Sequence, residues 1–125
     1  MQWYHYVLIF IASFLLFSII LSLIQIRKAS VKLDAENFRN NMRKGQLVDV
    51  RSRKEFQSGH IVGARNIPLD MIVRNQHTLR KDQPIFLYCS TGKRSKRAAI
   101  FLYTRGYNEI YELKGGLKNW NYPLK

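Results

Sequence analysis

The first pattern along the chain is one without alternation: from Val7 to Ile26, VLIFIASFLLFSIILSLIQI carries twenty residues and no charge. A helix rising about 1.5 Å per residue over that length spans a hydrocarbon layer of roughly 30 Å, so the run predicts a transmembrane helix. Ser13, Ser18 and Ser22 can bond back to their own helix, and Trp3, Tyr4 and Tyr6 stand where an interfacial aromatic belt belongs. A cleaved signal peptide is the competing reading. The run exceeds the usual apolar core of about 7–15 residues, no basic stretch precedes it and no A-x-A site follows, so an uncleaved anchor is expected.

After Ile26 the pattern breaks into short apolar runs separated by polar turns. Asp34 predicts the cap of a helix reaching about Lys44, with Leu33 and Phe38 as its hydrophobic staple and Gly45 as its stop. Gln46 to Val50 reads as a strand. Ser52 and Glu55 have the spacing of a capping box for a short helix ended by Gly59, and Arg65 to Ile67 reads as a brief strand. Asp70 is expected to cap a helix to about Arg80, and Ile85 to Tyr88 reads as a buried strand. A polar segment from Cys89 to Ser95 follows. Then come a helix carrying Ala98, Ala99, Ile100, Phe101 and Leu102 and closed by Gly106, a strand at Ile110 to Leu113, the Gly115-Gly116 pair, and a short helix near Leu117 to Trp120. Strands alternating with helices predict an α/β domain on a parallel sheet covered on both faces. The expected division is an interfacial segment over 1–6, a transmembrane helix over 7–26, a basic juxtamembrane linker over 27–32 and one domain over 33–125. There is no internal repeat.

Charge sharpens this division. All 21 Lys and Arg and all eight acidic residues lie after Ile26, which places the formal net charge of +13 on the domain and its linker. A positive field concentrates any anion. No nucleic-acid motif is visible and none is expected as a partner; anionic lipid and small anionic substrates carry the weight. Arg27, Lys28 and Lys32 follow the apolar run and no Lys or Arg precedes it, so a single-pass protein with its domain on the cytoplasmic side is expected, its basic flank held near anionic lipid. The one cysteine excludes an internal disulfide and a second, resolving thiol. With three scattered histidines it also argues against a zinc or iron–sulfur site, so no metal is expected.

The candidate chemistry sits at Cys89, Ser90, Thr91, Gly92, Lys93, Arg94 and Ser95, between a buried strand and a helix N-terminus. Ligands of open parallel sheets bind there. If the loop curls around the sulfur, successive amides form an anion-binding nest, reinforced by the helix dipole, and the thiolate is favoured. Lys93 and Arg94 add positive charge, and Gly92 permits the turn. A free cysteine closing an apolar strand is most often simple packing. An inert core cysteine, however, has no need of a polar, Gly-containing, doubly basic loop ahead of a helix.

On these residues the sequence resembles the rhodanese family over about Leu33 to Trp120. LVDVRSRKEFQSGHIVGARNIPL, Leu47 to Leu69, is similar to the family's N-terminal signature, CSTGKRS to its active-site loop, and RGYNEIYELKGGLKNW, Arg105 to Trp120, to its C-terminal signature. The resemblance implies a parallel five-stranded sheet flanked by helices. It further implies a sulfurtransferase in which Cys89 accepts a sulfane sulfur as a persulfide, amides of Ser90 to Arg94 face that sulfur, and Arg94 binds the leaving sulfite or another anion. Thiosulfate, polysulfide or a persulfide-carrying protein would be the partner, with no organic cofactor. Asp49, Arg51, Glu55 and His60 also match family positions, but charged groups flanking a strand commonly pair, and they read as structural. Gly63, Gly106, Gly115 and Gly116 read as turns or caps, and Trp120 as packing for the last helix.

Two rivals remain. Dual-specificity phosphatases share the rhodanese fold and a cysteine loop ending in arginine, but their pattern has five intervening residues where Cys89 and Arg94 enclose four, and the tighter loop suits sulfur. The other rival is a membrane-tethered interaction module or a persulfide relay without turnover, which needs the same loop as the enzyme.

Overall fold

The computed structural model describes residues 2–125, and the side chains of all of these except 25–28. The basic flank expected at Arg27 and Lys28 therefore lies outside the described side chains. Helix α1 covers Trp3–Lys28, and its stretch Trp3–Ile24 is long and apolar enough to cross a membrane. Within it the hydroxyls of Ser18 and Ser22 donate to the carbonyls of Phe14 and Ser18 at 2.9 and 3.0 Å, so neither presents an unpaired polar group to an apolar medium.

The chain then enters strand β1 (Val31–Leu33), followed by α2 (Ala35–Asn41), β2 (Gln46–Asp49), α3 (Arg53–Ser58), β3 (Arg65–Asn66), α4 (Ile72–Asn75), β4 (Ile85–Tyr88), α5 (Lys93–Thr104) and β5 (Ile110–Leu113). The five strands form one sheet in the order β1-β5-β4-β2-β3, and every pairing is parallel. This is the sheet that the resemblance implies. Strand β4 lies at its centre and alternates across it: Ile85 and Leu87 join Val48, Ala98, Ala99 and Leu102 under α5, while Phe86 and Tyr88 join Phe38, Met42 and Leu113 under α2. Trp120 meets the ring of Phe38 edge-on at 6.2 Å.

Three expectations need correction. The residues assigned to a linker contain the first part of β1, an edge strand too short and too exposed to show a period of two. The helix expected from Asp70 to Arg80 is broken into a 3-10 turn at Leu69–Met71, α4, and a second 3-10 turn at Gln76–Thr78, and Asp70 lies inside the first turn instead of capping it. Side chains compete with the helical ladder there: the amides of Asn75 and Gln76 donate to the carbonyls of Met71 and Val73, and the Thr78 hydroxyl donates to that of Asn75. Finally, α5 begins at Lys93, so Lys93, Arg94 and Ser95 form its first turn and not a loop.

Candidate functional site

Cys89 follows directly on β4, at the carboxyl edge of the parallel sheet. Gly92 turns the chain with φ +99°, a conformation that favours glycine, and α5 starts at the next residue. The turn brings two backbone donors onto one atom: the N–H groups of Gly92 and Ser95 reach Cys89 Sγ at 3.0 and 3.4 Å. Ser95 Oγ lies 3.7 Å from the same sulfur. Cys89 is only 1% exposed, yet its sulfur meets polar groups instead of hydrocarbon alone.

The outer side of the loop is held by the C-terminal 3-10 turn, Gly116–Asn119. Leu117 N–H donates to the carbonyl of Cys89 at 2.9 Å and Lys118 N–H to that of Ser90 at 3.3 Å. These bonds tie both loop carbonyls to the turn. Gly116 has φ +70°, and a Cβ there would lie 2.5 Å from the Ser90 oxygen and 2.6 Å from that of Cys89. Only glycine lets the two segments approach this closely.

Arg94 does not stand free. Its Nη1 and Nη2 donate to both carboxylate oxygens of Glu55 at 2.7 and 2.9 Å, and Nη2 also donates to Ser90 Oγ at 3.1 Å. Ser90 Oγ in turn donates to Glu55 Oε2 at 3.1 Å. Glu55 is placed by its capping box: its backbone N–H donates to Ser52 Oγ, and the Ser52 N–H and hydroxyl donate to its carboxylate. Arg94, helped by Ser52 and Ser90 against partial desolvation, holds the Glu55 carboxyl well below the usual carboxylate range. Glu55 in turn raises the Arg94 guanidinium further.

The structure thus gathers Cys89, Gly92 and Ser95 into one bonded group and Ser90 and Arg94 into a second around Glu55, and leaves the side chains of Thr91 and Lys93 exposed. Asp49 and Arg51 form a buried pair at 2.7 Å, and Arg51 also donates to the Gly59 carbonyl at 2.6 Å, closing the loop around α3. His60 stacks on Phe56 at 3.8 Å. Burial and the nearby Asp49 push the Tyr88 phenol far above its ordinary value, so it stays neutral, and its oxygen accepts the Ile61 N–H. A shallow hollow lined by Val50, Ser52, Pro68, Leu69 and Asp70 adjoins Arg94. Among the described residues no group of His, Cys, Asp and Glu could hold a metal.

Two partners of this group escape the sequence reading. Glu55 is legible as a helix cap but not as the clamp on Arg94, because its partner lies 39 residues away. Glu112, 1% exposed on β5, accepts the Ser95 hydroxyl at 3.0 Å. The one available signal was an acid inside the apolar run IYEL.

The fold has counterparts among known proteins. The profile of the rhodanese-like domain matches residues 34–122. An uncharacterised protein of Bacillus subtilis, YqhL, is 44% identical over 119 residues, which are 95% of this chain and 94% of that one. GlpE of Shewanella oneidensis, a thiosulfate sulfurtransferase, is 33% identical over 76 residues, covering 61% of this chain and 75% of GlpE. The crystal structure of a rhodanese-related protein from Thermoplasma volcanium superposes with a TM-score of 0.71 at 28% identity, covering 76% of this chain and 97% of that one.

Proposed function

The chain belongs to the rhodanese-like domain family, and from that premise we propose that it is a membrane-tethered sulfurtransferase whose Cys89 carries the transferred sulfur. The observation that carries this reading is the convergence of the Gly92 and Ser95 amides on Cys89 Sγ. Such donors stabilise negative charge at the sulfur, which every step requires. The thiolate attacks the outer sulfur of a sulfane donor such as thiosulfate. A new S–S bond forms as the donor's S–S bond breaks, and sulfite leaves with the electron pair. The resulting persulfide anion occupies the same cradle. An acceptor thiolate or cyanide then takes its terminal sulfur, and Cys89 departs as the thiolate, so the cycle is redox-neutral and needs no external oxidant.

The test is intact-mass spectrometry after exposure to thiosulfate, polysulfide or a persulfide-loaded protein, alongside cyanide-dependent turnover. The wild-type chain should gain one sulfur atom, which cyanide removes, and Cys89→Ser should gain none while keeping its fold. Sulfur loading that survives Cys89→Ser would overturn the assignment.

A second reading, a persulfide relay fed by a partner protein, is favoured by the occupied Arg94. With both terminal guanidinium nitrogens of Arg94 on Glu55, that guanidinium is not free to meet the leaving sulfite. Loading from a protein persulfide but not from thiosulfate, without cyanide turnover, would select the relay.

Helix α1 supports the tether, with the domain on the cytoplasmic side. A Gln2→Cys label in the Cys89→Ser background checks the orientation: an impermeant maleimide should reach it from outside the cell and not from the cytoplasmic face of inverted vesicles.

A further inference from the structure

One hydrogen bond beyond Ser95, Glu112 is a carboxyl group that the transfer steps do not use. It is 1% exposed, and its hydrogen bonds come from two hydroxyls: Ser95 donates to Oε1 at 3.0 Å, and Ser30, in the segment joining α1 to β1, donates to Oε2. No cation among the described residues pairs with it. Among the described residues, the elements around it offer little else that is charged. Strand β4 places Leu87 beside it in register and ends at Cys89; β1 places Lys32 beside it, but that side chain is exposed; α5 contributes Ser95; and Lys114, two residues on, is exposed.

Counting protons makes this arrangement informative. Ser95 Oγ has a single hydrogen and three neighbours that could take it: the Gly92 carbonyl at 3.1 Å, Glu112 Oε1 at 3.0 Å and Cys89 Sγ at 3.7 Å. With Glu112 ionised, Ser95 donates to the carboxylate, and its oxygen can only accept from a Cys89 thiol. With Glu112 protonated, the carboxyl donates to Ser95, whose own hydrogen is then free for a thiolate or persulfide. Both arrangements satisfy the Ser95 hydroxyl, and they differ in which way it faces the sulfur.

We propose that Glu112 is a positioning residue that shares one proton with Cys89 through the Ser95 hydroxyl and so sets whether that hydroxyl faces the sulfur as acceptor or as donor. Activation is an internal transfer: the proton leaves Sγ for Ser95 Oγ as the Ser95 hydrogen passes to Glu112 Oε1. One negative charge moves from carboxylate to sulfur, and nothing is oxidised or reduced. The inference rests on Cys89 being the nucleophile, and it ties the exit of the membrane helix, through Ser30, to the state of the sulfur.

The experiment is the pH profile of iodoacetamide alkylation of the sole cysteine in the full-length, detergent-solubilised chain. Glu112→Gln removes the form in which the carboxylate is charged and the sulfur protonated. The profile should therefore move to lower pH, with alkylation at neutral pH rising about threefold or more, the size expected for coupled sites. Ser30→Ala, at a half-exposed position, weakens the charged carboxylate without touching the cysteine loop and should move the profile the same way by less. In a Ser95→Ala background the effect of Glu112→Gln should vanish. Unmoved profiles in both Glu112→Gln and Ser30→Ala would overturn the proposal, and so would a full Glu112→Gln effect surviving Ser95→Ala, which would signal Coulomb repulsion through space. Sulfur loading is scored separately: a wild-type chain showing these alkylation shifts but loading no sulfur would sink the sulfurtransferase reading while the shared proton stood.

Discussion

Glu55 reaches Arg94 with both carboxylate oxygens while its backbone is tied to Ser52, so one side chain links the start of α3 to the first turn of α5. Its side chain is 37% exposed, and solvent screening limits such a pair to about 0.2–1 kcal/mol. Glu55→Gln should therefore lower stability only slightly, and the loss has a defined pH signature. Because the folded carboxyl is depressed, the stabilisation is complete above the ordinary value of 4.5 and is lost as pH falls below it toward the folded value. Urea titrations should show a constant gap between wild type and Glu55→Gln from neutral pH down to that point, then a closing one; a gap that widens with acid would contradict the assignment. The residues of this site differ in how legible they were. Cys89 and its loop could be read because strand, cysteine, glycine and helix are contiguous in sequence. The roles of Glu55 and Glu112 could not, because each depends on a partner brought close only by the sheet, across 39 and 17 residues.

At the scale of elements, the 3-10 turn Gly116–Asn119 decides where the loop carbonyls point, and the close approach at Gly116 makes this clamp testable. Gly116→Ala would place a methyl 2.5 Å from the Ser90 oxygen at a φ of +70°. The expected outcome is a stability loss of more than about 1 kcal/mol and weaker sulfur loading, measured by denaturant melts and intact mass. Gly63→Ala is the control. It shares a positive φ of +90° but meets nothing within 4 Å, so it should lose stability without losing sulfur loading. Elements whose signal is local were readable: the capping box of α3 and the buried β4 stand where the pattern puts them, and α5 follows the cysteine as expected but begins earlier, at Lys93. Strand β1 was not, because three residues with one half-buried side chain carry no period, and only pairing with β5 makes them a strand. The broken helix around α4 failed for the opposite reason. Its capping signal was present, but polar side chains took the carbonyls that a continuous ladder needs.

For the whole molecule, the question is where the apolar helix α1 ends and the domain begins. The family profile starts at residue 34, yet β1 precedes it and pairs with β5 through Val31, Lys32 and Leu33. Ala29 is 2% exposed, and the Ser30 hydroxyl bonds Glu112, so the domain extends back to the end of α1. Two truncations separate these boundaries. A chain beginning at Ala29 keeps the whole sheet and should be soluble, folded and as competent in sulfur loading as the full-length protein. A chain beginning at Asp34 loses β1, bares the edge of β5 and strips Glu112 of one of its two hydroxyl donors. Partial burial of Leu33 is worth roughly 1–2 kcal/mol. For a domain of about 100 residues this lowers the melting temperature by roughly 5–15 °C, and the exposed strand edge should promote association. Thermal melts and size-exclusion profiles of the two chains decide the point. Equal melting temperatures would mean that β1 belongs to the lead-in from α1 and not to the fold; a drop confined to the shorter chain means that the last turn of α1 feeds directly into the sheet that carries Cys89.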